Sequence, residues 1–172
     1  MRGYFGVGCE GISKAMNLGA VLRTAHAFGA GFVFTVGDHH RARQVALSDT
    51  SHAYEHVPLY EWEAMDDVRL PKGCRLIGVE LDDAAVDLPT FRHPMQAAYV
   101  LGPEKGSLSE AAAARCDALV KIPTRFCVNL SVAAALVMYD RRLSLGQGSR
   151  TRSGASPKRR APLPSPHRLP DA

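Results

Sequence analysis

The sequence predicts an α/β domain with a mainly parallel sheet flanked by helices. Short apolar runs have the length and composition of strands buried on both faces. Helical patterns fall between and after them, in the strand–helix–strand order that builds parallel sheets. The 172 residues are 46% hydrophobic and 22% charged, which is near the globular average and enough for one core.

In chain order, residues 1–6 lack the long apolar run of an export signal. Gly6-Val7-Gly8-Cys9-Glu10-Gly11 comes near a dinucleotide fingerprint, but its glycines are wrongly spaced and no long strand precedes it. A first helix is expected over about Asn17–Gly29, with Asn17 as N-cap and Leu18, Val21, Leu22, Ala25 and Phe28 on one face. Arg23 projects nearly opposite that face and by pattern alone is a solvated arginine. Gly31–Gly37 reads as a strand, β-branched and aromatic between glycines. The stretch 38–74 is polar and mixed, and no element is assigned to it. Within it His52 and His56 would share a helix face, but the order is not His-Glu-x-x-His, and Asp38-His39-His40 reads as a loop. No metal is expected, because no third and fourth ligands stand at fixed spacing. Ser13, Ser48 and Ser51 lack a nucleophile-elbow setting.

Strands follow at 75–81, 97–102 and 118–123. A helix is expected from Ser107, where Ser107-Leu108-Ser109-Glu110 has capping-box spacing before four alanines. The last helix runs from Asn129 to about Leu143. The domain is therefore placed at 1–145, and residues 146–172, rich in Gly, Ser, Pro and Arg, are expected to be a disordered basic tail. That tail holds six of the 21 basic residues and one of the 17 acids, so the body carries a net charge of −1 and the tail +5. A polybasic tail fits a nucleic-acid partner, and equally a solvated end that aids solubility. Cys9, Cys74, Cys116 and Cys127 form no C-x-x-C pair and read as buried free thiols of a cytoplasmic protein. No run approaches the ~18 apolar residues of a membrane span.

Ligands of open parallel sheets bind beyond the carboxyl ends of strands. Two such ends are unusual here. Leu101-Gly102-Pro103-Glu104-Lys105-Gly106 joins a buried strand to a helix start, and reads either as a phosphate cradle or as a plain βα turn. Ile122 to Asn129 joins the last strand to the last helix, where Asn129 serves as a cap or a functional group.

Together these pieces resemble the SpoU/TrmH group of SPOUT RNA 2′-O-ribose methyltransferases. Asn17-Leu18-Gly19-Ala20-Val21-Leu22-Arg23 is similar to its first motif, Leu101 to Ser109 to its second, and Ile122-Pro123 with Asn129-Leu130-Ser131 to its third. The chain departs from the pattern at Ser107, where glycine is usual, at Cys127-Val128-Asn129 in place of Ser-Leu-Asn, and in a shorter 122–129 loop.

The resemblance implies a C-terminal deep trefoil knot and S-adenosyl-L-methionine as cofactor. The cofactor would be held by Val79, Glu80, Leu81, Leu101, Gly102, Gly106, Ile122, Val128 and Leu130. It implies Arg23, Glu104 and Asn129 as catalytic residues, Asn17 and Arg23 as RNA contacts, and a homodimer with its site at the interface. Lacking an N-terminal RNA-binding extension, the chain resembles the minimal members that act on tRNA. The resemblance assigns Arg23 to removing the ribose proton, but a guanidinium with a pKa above ~12 resists that role, and a phosphate clamp is the alternative.

Overall fold

The computed structural model describes residues 3–37, 52–104 and 106–146. The predicted tail beyond 146, the Asp38-His39-His40 loop, Ser48, Ser51 and Lys105 lie outside the described residues.

In chain order the elements are β1 (Tyr4–Glu10), α1 (Ala15–Phe28), β2 (Phe32–Val36), β3 (Leu59–Trp62), β4 (Arg75–Val79), β5 (Val86–Asp87), β6 (Gln96–Leu101), α2 (Glu110–Arg115), β7 (Ala118–Lys121) and α3 (Leu130–Ser144). The seven strands form one sheet in the order β3-β2-β1-β6-β4-β7-β5. Every pairing is parallel, as expected. Alternate residues of the central strands serve two cores. Phe5, Val7, Cys9, Ile77, Tyr99 and Leu101 pack against Leu18, Val21, Leu22 and Ala25 of α1 and Ala134, Val137 and Met138 of α3. Phe34, Leu76, Ala98 and Val100 pack on the other face against Met65, Leu108 and Ala112. This is a three-layer arrangement in which α1 and α3 share one face.

Several expectations are corrected. The glycine-rich opening is strand β1 itself, paired with β2 and β6 near the middle of the sheet. A Cβ at Gly6 or Gly8 would lie 2.3 Å from the ring of Phe32 or Phe34, so these glycines admit aromatic rings from β2 and do not cradle a phosphate. Helix α1 starts two residues before Asn17. Lys14 occupies the cap position without a side-chain cap bond, and Asn17 is buried in the first turn. Gly29 ends the helix in the left-handed region at φ 75°, a conformation glycine adopts without strain.

Helix α2 starts at Glu110, with Ser109 as cap accepting from Ala112 N. The chain before it is held extended, because Leu108 is buried and its N–H is taken by Glu80. His52 and His56 do not share an α-helical face. They flank a 3₁₀ turn, with His52 near Glu55 and His56 stacked on His26. All four cysteines are free, but Cys127 is exposed, against the expectation of burial. Among the described residues no helix is long and apolar enough to cross a membrane.

Candidate active site

The carboxyl ends of β4, β6 and β7, with the starts of α1 and α3, line a cleft of about 360 Å³. Val79, Glu80 and Leu81 reach it from the end of β4. Leu101, Gly102 and Gly106 reach it from β6 and the turn that follows, and Ile122, Val128 and Leu130 from the β7–α3 junction. Glu104, Asn129 and Asn17 complete the polar side. Three junctions separated in sequence thus converge. Arg23 does not join them: it lies exposed on α1, outside the cleft lining of a single chain.

The polar side is one connected chain of hydrogen bonds. Ser13 donates from both its N–H and its hydroxyl to Glu104 Oε2. Asn17 Nδ2 donates to Glu104 Oε1 at 2.7 Å, and Asn129 Nδ2 donates to Asn17 Oδ1 at 3.3 Å. Asn129 Oδ1 in turn accepts from Ser131 N at 2.9 Å and caps α3. The physical logic begins at α1, which has no acid in its first turn. Its positive end attracts an anion, and Glu104 supplies one, bonded to the residues that lead into the helix. Burial opposes ionisation of Glu104. The hydrogen bonds from Ser13, Asn17 and the Ser13 and Lys14 backbone outweigh it and hold the carboxyl below its ordinary 4.5.

This network predicts a pH signature. A carboxyl depressed in the folded state contributes stability above its ordinary pKa and loses it as pH falls through the lower folded value. Glu104→Gln has one acceptor oxygen for two sets of donors and sets its amide N–H₂ against the other. The variant should melt below wild type at neutral pH, and the gap should narrow as the pH falls below 4.5 and through the lower folded value. Equal melting temperatures at neutral pH would remove Glu104 from this role.

The remaining walls are apolar, from Val79, Leu101, Ile122 and Leu130, with Glu80 and Glu104 beside them. Such a lining suits a ligand with a flat apolar ring and a cationic centre. The backbone closes tightly at Gly102, where a Cβ would lie 3.0 Å from Leu108 N. Below the cleft, burial and the Glu104 charge push the Cys9 thiol up to about 12, so it stays protonated and inert.

Sequence reasoning weighed Ser13 only as a nucleophile. Its position just ahead of a helix marks a capping residue, but its partner lies 91 residues away. Lys14, Pro103, Thr124, Cys127 and Ala133 also line the cleft and were not singled out for it.

Known proteins share this architecture. A putative TrmH family tRNA/rRNA methyltransferase of Staphylococcus aureus is 32% identical over 143 residues, covering 76% of this chain and 55% of that protein. The chain thus spans about half the length of the curated relatives it matches. The structure of the SpoU methyltransferase AviRb from Streptomyces viridochromogenes, in complex with AdoMet, aligns with a TM-score of 0.73 at 21% identity, over 86% of this chain and 63% of that one. A structure concerned with the 2-OH methylation of C/U34 on tRNA aligns with a TM-score of 0.72 at 22% identity, over 86% of this chain and 99% of that one. Residues 5–139 match the family model of the SpoU rRNA methylases. That span runs from within β1 into α3, and the chain belongs to the SpoU rRNA Methylase family.

Proposed function

We propose that the chain transfers a methyl group from S-adenosyl-L-methionine to a ribose 2′-hydroxyl of RNA, tRNA being the favoured substrate. In this reading it works as a cytoplasmic homodimer with its site at the interface and a trefoil knot at its C-terminal segment. The observation that carries the proposal is the convergence of three junctions on one cleft, with Asn17, Glu104 and Asn129 joined across it.

The residues fit the cofactor. The cleft volume falls in the range of small-molecule sites, roughly 300–1,000 Å³. Apolar strand ends would hold an adenine, the Gly102 backbone permits close approach, and the ionised Glu104 would favour a nearby cation. When bound, the cofactor supplies a methyl group on a sulfonium, already activated for displacement. The protein then has to place the hydroxyl and manage its proton. Glu104, fixed by Ser13 and Asn17, and Asn129, fixed by the α3 start, orient the ribose. Arg23 acts on the substrate either as proton acceptor or as a clamp on the adjoining phosphate.

The dimer is supported by α3. Val132, Leu136, Tyr139 and Leu143 are 47%, 39%, 54% and 52% exposed, and at ~100° per residue they fall within about 60° of each other. An apolar stripe of this kind suits burial against a second copy.

The tRNA preference draws on the neighbour concerned with tRNA, matched over 99% of its length. A second reading, ribosomal RNA, is favoured by the family's own name. Mass spectrometry of nucleosides from separated tRNA and ribosomal RNA, with and without the protein, decides between them. A 2′-O-methylnucleoside is expected to vanish from the tRNA fraction. Its loss from ribosomal RNA would move the substrate, and no change in either, with no binding of labelled cofactor, would leave only a silent RNA-binding module.

Deleting residues 146–172 should preserve folding and weaken RNA affinity, with a shallower salt dependence. Binding curves at several salt concentrations check this, and an unchanged slope returns the basic tail to a solubility role.

A further inference from the structure

Two carboxylates at strand ends are bonded to the protein's own backbone and side chains. Glu80, at the end of β4, accepts from Leu81 N through Oε1 at 2.9 Å and from Leu108 N through Oε2 at 2.6 Å. Glu10, the last residue of β1, accepts from Ser109 N at 2.8 Å and from the Ser109 hydroxyl at 2.5 Å. Both therefore grip the 106–109 segment, one from each side of β6, which lies between β1 and β4 in the sheet. The grip sets a wall of the cleft. Gly106 lines the cleft, and Leu108 N lies so close over Gly102 that an added Cβ would meet it at 3.0 Å and Glu80 Oε2 at 3.4 Å. Ser109, once held by Glu10, caps α2.

We propose that Glu10 and Glu80 are positioning residues: paired pegs that fold the 106–109 segment back over Gly102 and so shape the wall on which the cofactor rests. This assigns Glu80 a part other than direct contact with the cofactor and brings in Glu10, which no motif marked. The proposal rests on the cofactor reading above for its effect on binding, and on geometry alone for the grip itself.

Physically, backbone N–H groups at a turn have no strand partner, and an ionised acceptor makes a bond about twice as strong as a neutral one. Removing either carboxylate leaves Leu108 N or Ser109 N without its acceptor. The segment would then lift, and the loss should appear as weaker cofactor binding with the chemical step unchanged once cofactor saturates.

The experiment uses the full chain, with Glu80→Ala, Glu10→Ala and the milder Glu80→Gln. Titration calorimetry with S-adenosylmethionine is combined with amide hydrogen exchange and steady-state kinetics. The expected result is faster exchange at Leu108 in the Glu80 variants and at Ser109 in Glu10→Ala. The dissociation constant and KM for cofactor should rise about tenfold, with kcat at saturating cofactor within about threefold of wild type. Glu80→Gln, which keeps one acceptor oxygen, should fall between wild type and Glu80→Ala, and serves if the alanine variant fails to fold.

Exchange at Leu108 and Ser109 equal to wild type overturns the grip. Faster exchange with unaltered cofactor affinity, or a loss confined to kcat, overturns its role in shaping the wall. If wild type itself binds no S-adenosylmethionine, the functional reading fails, while the exchange data still decide whether the pegs hold the segment.

Discussion

Arg23→Ala is expected to lower the proposed methyl transfer by about 10³-fold or more while leaving the fold and the proposed dimer intact. The side chain is exposed on α1 and outside both cores, so its removal should change stability by no more than about 0.5 kcal/mol. A loss of activity without a loss of stability separates function from folding. Activity is read as transfer of a labelled methyl group to RNA, with melting and sedimentation on the same sample. Turnover near wild type would remove Arg23 from the reaction.

Two refinements make this test specific. Arg23→Lys keeps a cation but loses the planar fork. A clamp on phosphate should keep part of its activity with an unaltered pH profile. A proton acceptor replaced by lysine should give a rate that climbs with pH toward the lysine range. The second refinement addresses the placement of Arg23 outside the cleft of a single chain. In the proposed dimer, mixing the Arg23→Ala and Glu104→Gln proteins would give heterodimers. If each site draws its arginine from the other protomer, one site of the heterodimer is intact and activity returns. If both residues serve the same protomer, both sites are damaged and the mixture stays inactive.

How much of this was legible in the sequence depends on the range of the interactions. Strands β2, β4, β6 and β7 were readable because continuous apolar runs mark strands covered on both faces. Strand β1 was not, although it lies near the centre of the sheet. Gly6 and Gly8 interrupt its apolar run, and glycine weakens a strand pattern. The reason for those glycines, the Phe32 and Phe34 rings, sits on another strand. Strands β3 and β5 were missed because they are short edges with polar residues, Glu61 and Asp87.

Within the site, the apolar and glycine positions were recognisable as strand ends. Asn17 was misread as a cap because its real partners, Glu104 and Asn129, are 87 and 112 residues distant. The same distance hid Glu10, whose bonds to Ser109 span 99 residues.

The largest stability effect is expected at the opposite end of the sheet, at Arg141. By sequence it is a basic residue in the last turn of a helix, where a cation suits the macrodipole. In the structure it is 3% exposed. One arm donates to the Pro94 carbonyl and to the Tyr99 hydroxyl at 3.1 Å. The other donates to the carbonyls of Met95 at 2.8 Å and Tyr4 at 3.3 Å. The guanidinium lies 5.3 Å from the centroid of the Phe5 ring, a distance at which a cation is attracted to the ring face. Arg141 therefore ties α3 to the chain entering β1 and β6.

Arg141→Ala leaves three carbonyls and a hydroxyl without this donor in a site from which water is largely excluded, at a cost of about 3–4 kcal/mol. For a chain of this size the melting temperature should fall by about 10 °C. Arg141→Met restores volume and some packing but no donors, so it should recover only a minor part.

The neighbouring His93 sharpens the test. Burial lowers its pKa below the ordinary 6.5, against the hydrogen bond and charge of Asp140. The unfolded chain takes up that proton first, so stability falls as pH drops below about 6.5. Arg141→Ala removes a positive charge that disfavours His93 protonation, so this acid-side loss should shrink in the variant. Because α3 also begins with Asn129 and Leu130 at the cleft, loosening its far end should carry into cofactor affinity as well as melting. A variant that melts within about 2 °C of wild type, less than the shift one kcal/mol gives in a chain this long, would show that Arg141 is an incidental arginine and that α3 is held by its apolar face alone.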